Sequence, residues 1–159
     1  MPTKEPKFIV DLMLGRLCKW LRLLGYDAVY FNQSDYTMLV YTSLKDMRVI
    51  LTRNNKLSDK RGYKIIIINS DKIEEQIKQV IEECKLKINK DKMFTRCSLC
   101  NTLLKEIDKE QVKGAVPEYV WETQERFYIC ENCNKIYWSG THIALVEKRI
   151  KNIVSLEEK

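Results

Sequence analysis

Histidine, proline and glycine are all scarce in this chain, with 1, 3 and 5 copies among 159 residues. So few glycines and prolines argue against extensive disorder. Long apolar runs are missing as well. No stretch approaches the roughly 18 apolar residues of a membrane-spanning helix, and the opening MPTKEPK lacks the apolar segment of a secretory signal. These absences lead to the expectation of a soluble, cytoplasmic protein with no membrane partner. In that compartment the six cysteines are not expected to pair as disulfides. What is present is ordinary for a globular chain: 45% hydrophobic and 31% charged residues, enough to build a core. The length suits one medium domain followed by a very small one.

Residues 7–25, KFIVDLMLGRLCKWLRLLG, organise the reading. Phe8, Ile9 and Val10 suit a strand buried on both faces, and Asp11 ends it just before a helical pattern begins. Leu14, Leu17, Cys18, Leu21 and Leu24 then recur at the spacing of one buried stripe, Arg16, Lys19 and Arg22 point elsewhere, and Gly25 stops the helix. An acid at a strand's carboxyl end, flanked by cations, suits a metal held beside a polyanion. The alternative is a solvated Asp capping the helix.

Downstream the same alternation recurs. Ala28 to Phe31 reads as a strand, Ser34 as an N-cap with Asp35 in the first turn, and Tyr36 to Leu44 as a helix. Arg48 to Thr52 and Lys64 to Ile68 read as further strands, the second rich in β-branched residues as interior parallel strands are. Asp71 and Glu74 form a D-x-x-E capping signature for a helix striped by Ile73, Ile77, Val80, Ile81 and Cys84. Cys18 and Cys84, at apolar helical positions, are expected to act as small hydrophobes. Strand and helix in alternation imply a parallel sheet with right-handed crossovers, whose carboxyl edges gather on one side. Asp11, Asp35, Asn54, Asn55 and either Asp59 or Asp71 all fall just after strands, so they are candidates to converge around a divalent cation. Residues 1–90 carry 17 Lys and Arg against 11 Asp and Glu, while residues 91–159 carry 11 of each. The whole positive excess therefore lies in the first part, a distribution that suits phosphate neutralisation as well as a solvated surface. The segment Lys85 to Lys92 is polar and reads as a linker.

Two CxxC pairs, Cys97/Cys100 and Cys130/Cys133, stand 29 residues apart and offer four soft thiolates. Such pairs form knuckles that close a tetrahedral Zn²⁺ site, structural because protein fills all four positions; an iron centre or a redox dithiol are the alternatives. A ribbon this small buries too little apolar surface to fold unaided, so zinc contributes to its stability. The single histidine, His142, is not needed for that site. Three roles suit it, as a catalytic base, an RNA contact or a loop residue bonded to the ribbon, and the lack of a nearby nucleophile favours the last two.

Five features occur together: FIVDLMLGRLCKWLRLLGYD at 8–27, ILTRNNKL at 50–57, the CxxC pairs with Asn101 after the first, Val116-Pro117, and WSGTH at 138–142. With them the chain resembles, over nearly its whole length, the PIN-like ribonuclease domain family of the Mut-seven C-terminal type. The resemblance implies an α/β fold: a PIN-like three-layer α/β/α nuclease domain with a mostly parallel sheet over residues 1–90. A small C-terminal zinc ribbon with a final helix follows over 91–159. It also implies metal-dependent cleavage of RNA. The family's first two acids fall on Asp11 and Asp35. Its third stands in a TRD motif that here reads Thr52-Arg53-Asn54, so an amide replaces a carboxylate, and Asp59 in the same loop is the residue placed to compensate. The leading expectation is an endoribonuclease in which Asp11, Asp35 and Asn54 or Asp59 hold Mg²⁺ or Mn²⁺. Arg16, Lys19, Arg22 and Arg53 would bind phosphates, with RNA as partner, ribosome or tRNA as candidate sources of it, and oligomeric state left open. The rival expectation is an RNA- or ribosome-binding factor that keeps the scaffold without the chemistry, favoured by Asn54. A third makes the ribbon a protein-interaction module.

Overall fold

The computed structural model describes residues 5–59, 62–138 and 141–155. Four strands, β1 (Lys7–Asp11), β2 (Ala28–Phe31), β3 (Arg48–Thr52) and β4 (Lys64–Ile67), form one parallel sheet in the order β2-β1-β3-β4. Phe8 lies opposite Ala28 and Val49, and Thr52 opposite Ile67. The two central strands are buried nearly throughout, which is why both read as uninterrupted apolar runs. Helix α1 (Gly15–Leu23) carries the chain from β1 outward to β2. Helix α2 (Tyr36–Asp46) then returns it past β1 to β3, and a 3₁₀ turn, Asn55–Asp59, leads on to β4. The connections leaving β1 and β3 thus run to opposite sides, and the carboxyl ends of these neighbours form the topological switch point where such sheets bind ligands.

The core is three-layered, as expected. On one face Phe8, Val10, Val49, Leu51 and Ile66 pack against Leu17, Leu21 and Leu24 of α1 and its turn, and against Ile73, Ile77 and Val80 of α3 (Ile73–Cys84). On the other, Ile9 and Ile50 meet Leu39 of α2 and Leu57 of the 3₁₀ turn. Cys18 is buried, donates to the Ala28 carbonyl at 3.6 Å, and has its thiol pushed up by burial, so it behaves as the small hydrophobe anticipated.

The second unit is a three-stranded antiparallel sheet, β5 (Lys105–Ile107), β6 (Phe127–Ile129) and β7 (Ile136–Trp138), with a short helix α4 (Glu118–Thr123). It has its own small core of Val112, Val116, Val120 and Phe127. The last helix, α5 (Thr141–Ser155), leaves the ribbon and packs on α3, where Ile150 and Ile153 enter the first core. Arg149 ties it down: its guanidinium pairs with Glu74 and sits 5.5 Å from the Trp20 ring centre. The core of the parallel sheet thus draws on residues to either side of position 90, Leu86 before it and Met93, Ile150 and Ile153 after it.

Three local expectations change. Asp35, not Ser34, is the N-cap of α2, accepting from the N–H groups of Thr37 and Met38. The Asp71/Glu74 box does not form: α3 begins after Lys72, whose N–H is taken by Ser70 Oγ at 3.0 Å, while Glu74 turns to Arg149. Residues 85–92 are not a free linker, since Leu86 is buried and the Lys87 carbonyl accepts from the Tyr26 hydroxyl at 2.7 Å. Among the described residues no helix is long and apolar enough to cross a membrane.

Candidate functional site

Asp11 is the last residue of β1 and is fully buried. One carboxylate oxygen accepts from the Leu12 N–H at 2.8 Å and the other from the Thr52 hydroxyl at 2.6 Å. Thr52 ends β3, is equally buried, and accepts in turn from the Asn54 N–H at 3.0 Å. These bonds stitch β1 to β3 at the switch point. Asp11 does cap the 3₁₀ turn Leu12–Leu14 that precedes α1, but it is not a solvated cap. Burying a carboxylate costs stability that two hydrogen bonds return only in part.

Of the other candidates, Asn54 joins this arrangement through its backbone N–H alone, and Asp71 lines the cleft at the same edge. Asp35 is exposed and engaged at the start of α2. The Asn54 side-chain oxygen accepts from the Lys56 N–H at 3.0 Å, closing a tight turn. The side chains of Asp59 and His142 lie outside the described residues. Among those described, one group of three or more His, Cys, Asp or Glu side chains is placed to hold a metal ion, and it is the cysteine cluster. Among the described residues the sheet edge gathers no set of three such side chains, and Asp11 is the buried carboxylate there that would hold a Mg²⁺ or Mn²⁺ ion.

Two clefts flank α1. The first, of 450 Å³, lies at the carboxyl ends of the strands and is lined by Met13, Leu14, Arg16, Leu17, Arg53, Asp71, Ile73 and Gln76. The second, of 410 Å³, separates α1 from the first CxxC pair and is lined by Gly15, Arg16, Cys18, Lys19, Arg22, Tyr30, Ser98 and Leu99. Arg16 belongs to both. Arg16, Lys19 and Arg53 are exposed, as phosphate contacts require. Arg22 differs: it is 7% exposed, and it donates to the Ala28 carbonyl at 2.8 Å and the Ser98 carbonyl at 3.0 Å. It is a strut between α1, β2 and the ribbon.

The four cysteine sulfurs lie within 4.8 Å of one another, with Cys97 and Cys133 at 3.6 Å and Cys100 and Cys130 at 3.2 Å. Zinc at about 2.3 Å from each of four sulfurs sets them about 3.8 Å apart, so the donor set and its geometry fit Zn²⁺. A hydrogen bond with Thr102 pulls the Cys100 thiol down to about 6, while burial pushes Cys130 up to about 11. The Tyr137 hydroxyl, 2.9 Å from Cys97 Sγ, is a supporting partner. Both knuckles read C-x-x-C-N, and Asn101 and Asn134 both take positive φ, 72° and 61°, a conformation asparagine tolerates better than most residues.

Asn101 then joins the two units, a role the sequence reading missed. Its side-chain oxygen accepts from the Ala28 N–H at 3.1 Å, satisfying an edge-strand donor, and its amide donates to Asp27 at 2.6 Å. Asp27 also pairs with both terminal nitrogens of Arg48. Arg96 donates to the Gly25 carbonyl at 3.2 Å, and Phe94 N–H to that of Leu23 at 2.9 Å. The repeated C-x-x-C-N was the available signal, although nothing local reveals a partner 73 residues away.

The combination defines a class: an α/β protein with a buried acid at its switch point, basic clefts beside it, and a cysteine-built ribbon locked to its sheet. The chain belongs to the Mut7-C RNAse domain family, whose profile matches residues 6–150. It is also 27% identical over 107 residues to a human protein described as exonuclease mut-7 homolog; the match covers 64% of this chain and 12% of the relative. No solved structure matches.

Proposed function

We propose that the chain is a ribonuclease acting on RNA at the carboxyl edge of its parallel sheet, within an intact strand rather than from an end. Asp11 is the group on which cleavage depends. The observation that carries this reading is a fully buried carboxylate at the switch point, hydrogen-bonded to Leu12 and Thr52, the residues from which the chain runs on into the cleft lined by Arg16 and Arg53. Membership of an RNAse domain family supports the substrate class. The word exonuclease belongs to a relative of which this chain matches a small part. The same reading makes activity dependent on Mg²⁺ or Mn²⁺, and gives zinc a structural part in the ribbon. In this division of labour, residues 1–90 carry the chemistry and the ribbon helps hold RNA.

A second reading, RNA binding without cleavage, is favoured by Asn54, whose amide contributes no charge and whose oxygen already closes a turn. Asn54→Asp separates the two. For a nuclease, restoring a negative charge at the end of β3 raises a Mn²⁺-dependent cleavage already measurable in the parent. A parent inert with every divalent metal, yet binding RNA, favours the binding factor.

A further inference from the structure

Of the two clefts beside α1, the one facing the zinc ribbon lies away from the sheet edge to which cleavage is assigned. We propose that it is a subsite for single-stranded RNA, with one wall supplied by α1 and the other by the first zinc knuckle. The proposal rests on RNA being the substrate and extends that reading to where the strand runs.

The cleft is ligand-sized at 410 Å³, a volume on the scale of one nucleotide rather than of a duplex. Its charge has one sign: Arg16 and Lys19 line it as exposed cations, and among the described residues no acid lines it. Arg22 forms the inner end, where two backbone carbonyls fix its guanidinium, so the positive charge there is held in place rather than swinging on a flexible stem. The remaining lining supplies faces for a base or ribose. Tyr30 is anchored through its hydroxyl to the Leu12 carbonyl with 37% of its surface exposed. Leu99 stands 55% exposed on the knuckle, between Cys97 and Cys100. Cations beside an aromatic and an apolar face are what a non-sequence-specific single-strand site needs. Arg16 opens into both clefts, so a strand leaving this subsite passes directly toward Arg53 and the switch point.

The test uses the full-length, zinc-loaded chain and a fluorescein-labelled single-stranded oligouridylate, with an RNA duplex of equal length beside it. Lys19→Glu with Leu99→Glu changes two exposed side chains; Lys45→Glu on α2, on the opposite face of the sheet, is the charge control. Zinc content and thermal midpoint are measured on every variant. The double variant is expected to bind the single strand about tenfold or more weakly, with a smaller loss for the duplex, while Lys45→Glu changes binding about twofold or less. Equal losses in the control and double variants, or no loss in either, would overturn the subsite and leave RNA as substrate intact. A parent that binds neither RNA overturns both.

Discussion

Asp27 holds three nitrogens at once, two from Arg48 at 2.8 and 3.2 Å and one from Asn101 at 2.6 Å. Burial pushes its carboxyl up, but the hydrogen bonds from Arg48 and Asn101 outweigh burial and hold it below the ordinary carboxylate range. A folded-state value below the unfolded one, about 3.9, means that this contact stabilises fully above that pH and loses its contribution as pH falls through the folded value. Asn101→Ala removes one cause of the shift and leaves the Ala28 N–H without its partner. It is expected to cost about 2–3 kcal/mol in urea unfolding at neutral pH, and to make the acid-side loss of stability shallower than in the parent. A variant as stable as the parent would show the joint to be incidental. Arg22 shares its charge with Arg16 and Lys19, yet six residues along a 3.6-residue helix turn it about 120° from Arg16, onto the side of the buried Cys18 and Leu21. That angle was available in the sequence, whereas the Ser98 carbonyl awaiting it was not.

Strands and their order of appearance were legible because interior parallel strands need uninterrupted apolar residues. Residues 28–31 and 48–52 form strands over the spans expected, and β4 ends one residue short of expectation. Caps were less legible, since Ser34 and Asp35 or Ser70 and Asp71 offer adjacent oxygens and tertiary contacts choose between them. For α3 the deciding contact is Arg149, which draws Glu74 toward α5 and away from a capping box. The ribbon was readable as a zinc site but not as a wall of the neighbouring unit. This predicts a consequence of metal removal at a distance from the sulfurs. The purified chain should contain about one zinc, and chelation should loosen residues 97–138 and also deprotect the Ala28 amide in hydrogen exchange, because Asn101 caps it from the first knuckle. Unchanged exchange at Ala28 after complete zinc loss would contradict that coupling.

At the scale of the molecule, the chain is less divisible than its composition suggests. The positive excess lies before residue 90 and the paired cysteines after it, but Met93, Ile150 and Ile153 complete the core of the sheet domain, and Arg22, Arg96 and Asn101 bind the units through backbone groups. A zinc-built wall is thereby fixed beside the basic face of α1, and Arg16 links that face to the carboxyl edge. The acids themselves were only partly legible. Their positions after strands were right, but Asp35 and Asn54 are engaged in local turns, and among the described side chains Asp11 is the acid buried at the switch point. The most direct measurement is therefore cleavage of single-stranded RNA with Mn²⁺ by the parent and by Asp11→Asn, which keeps the side chain's shape and removes its charge. The expected result is Mn²⁺-dependent cleavage by the parent, falling about a hundredfold or more in the variant while RNA affinity holds. Equal cleavage by both proteins, or a parent that binds RNA and never cleaves it, would contradict the account.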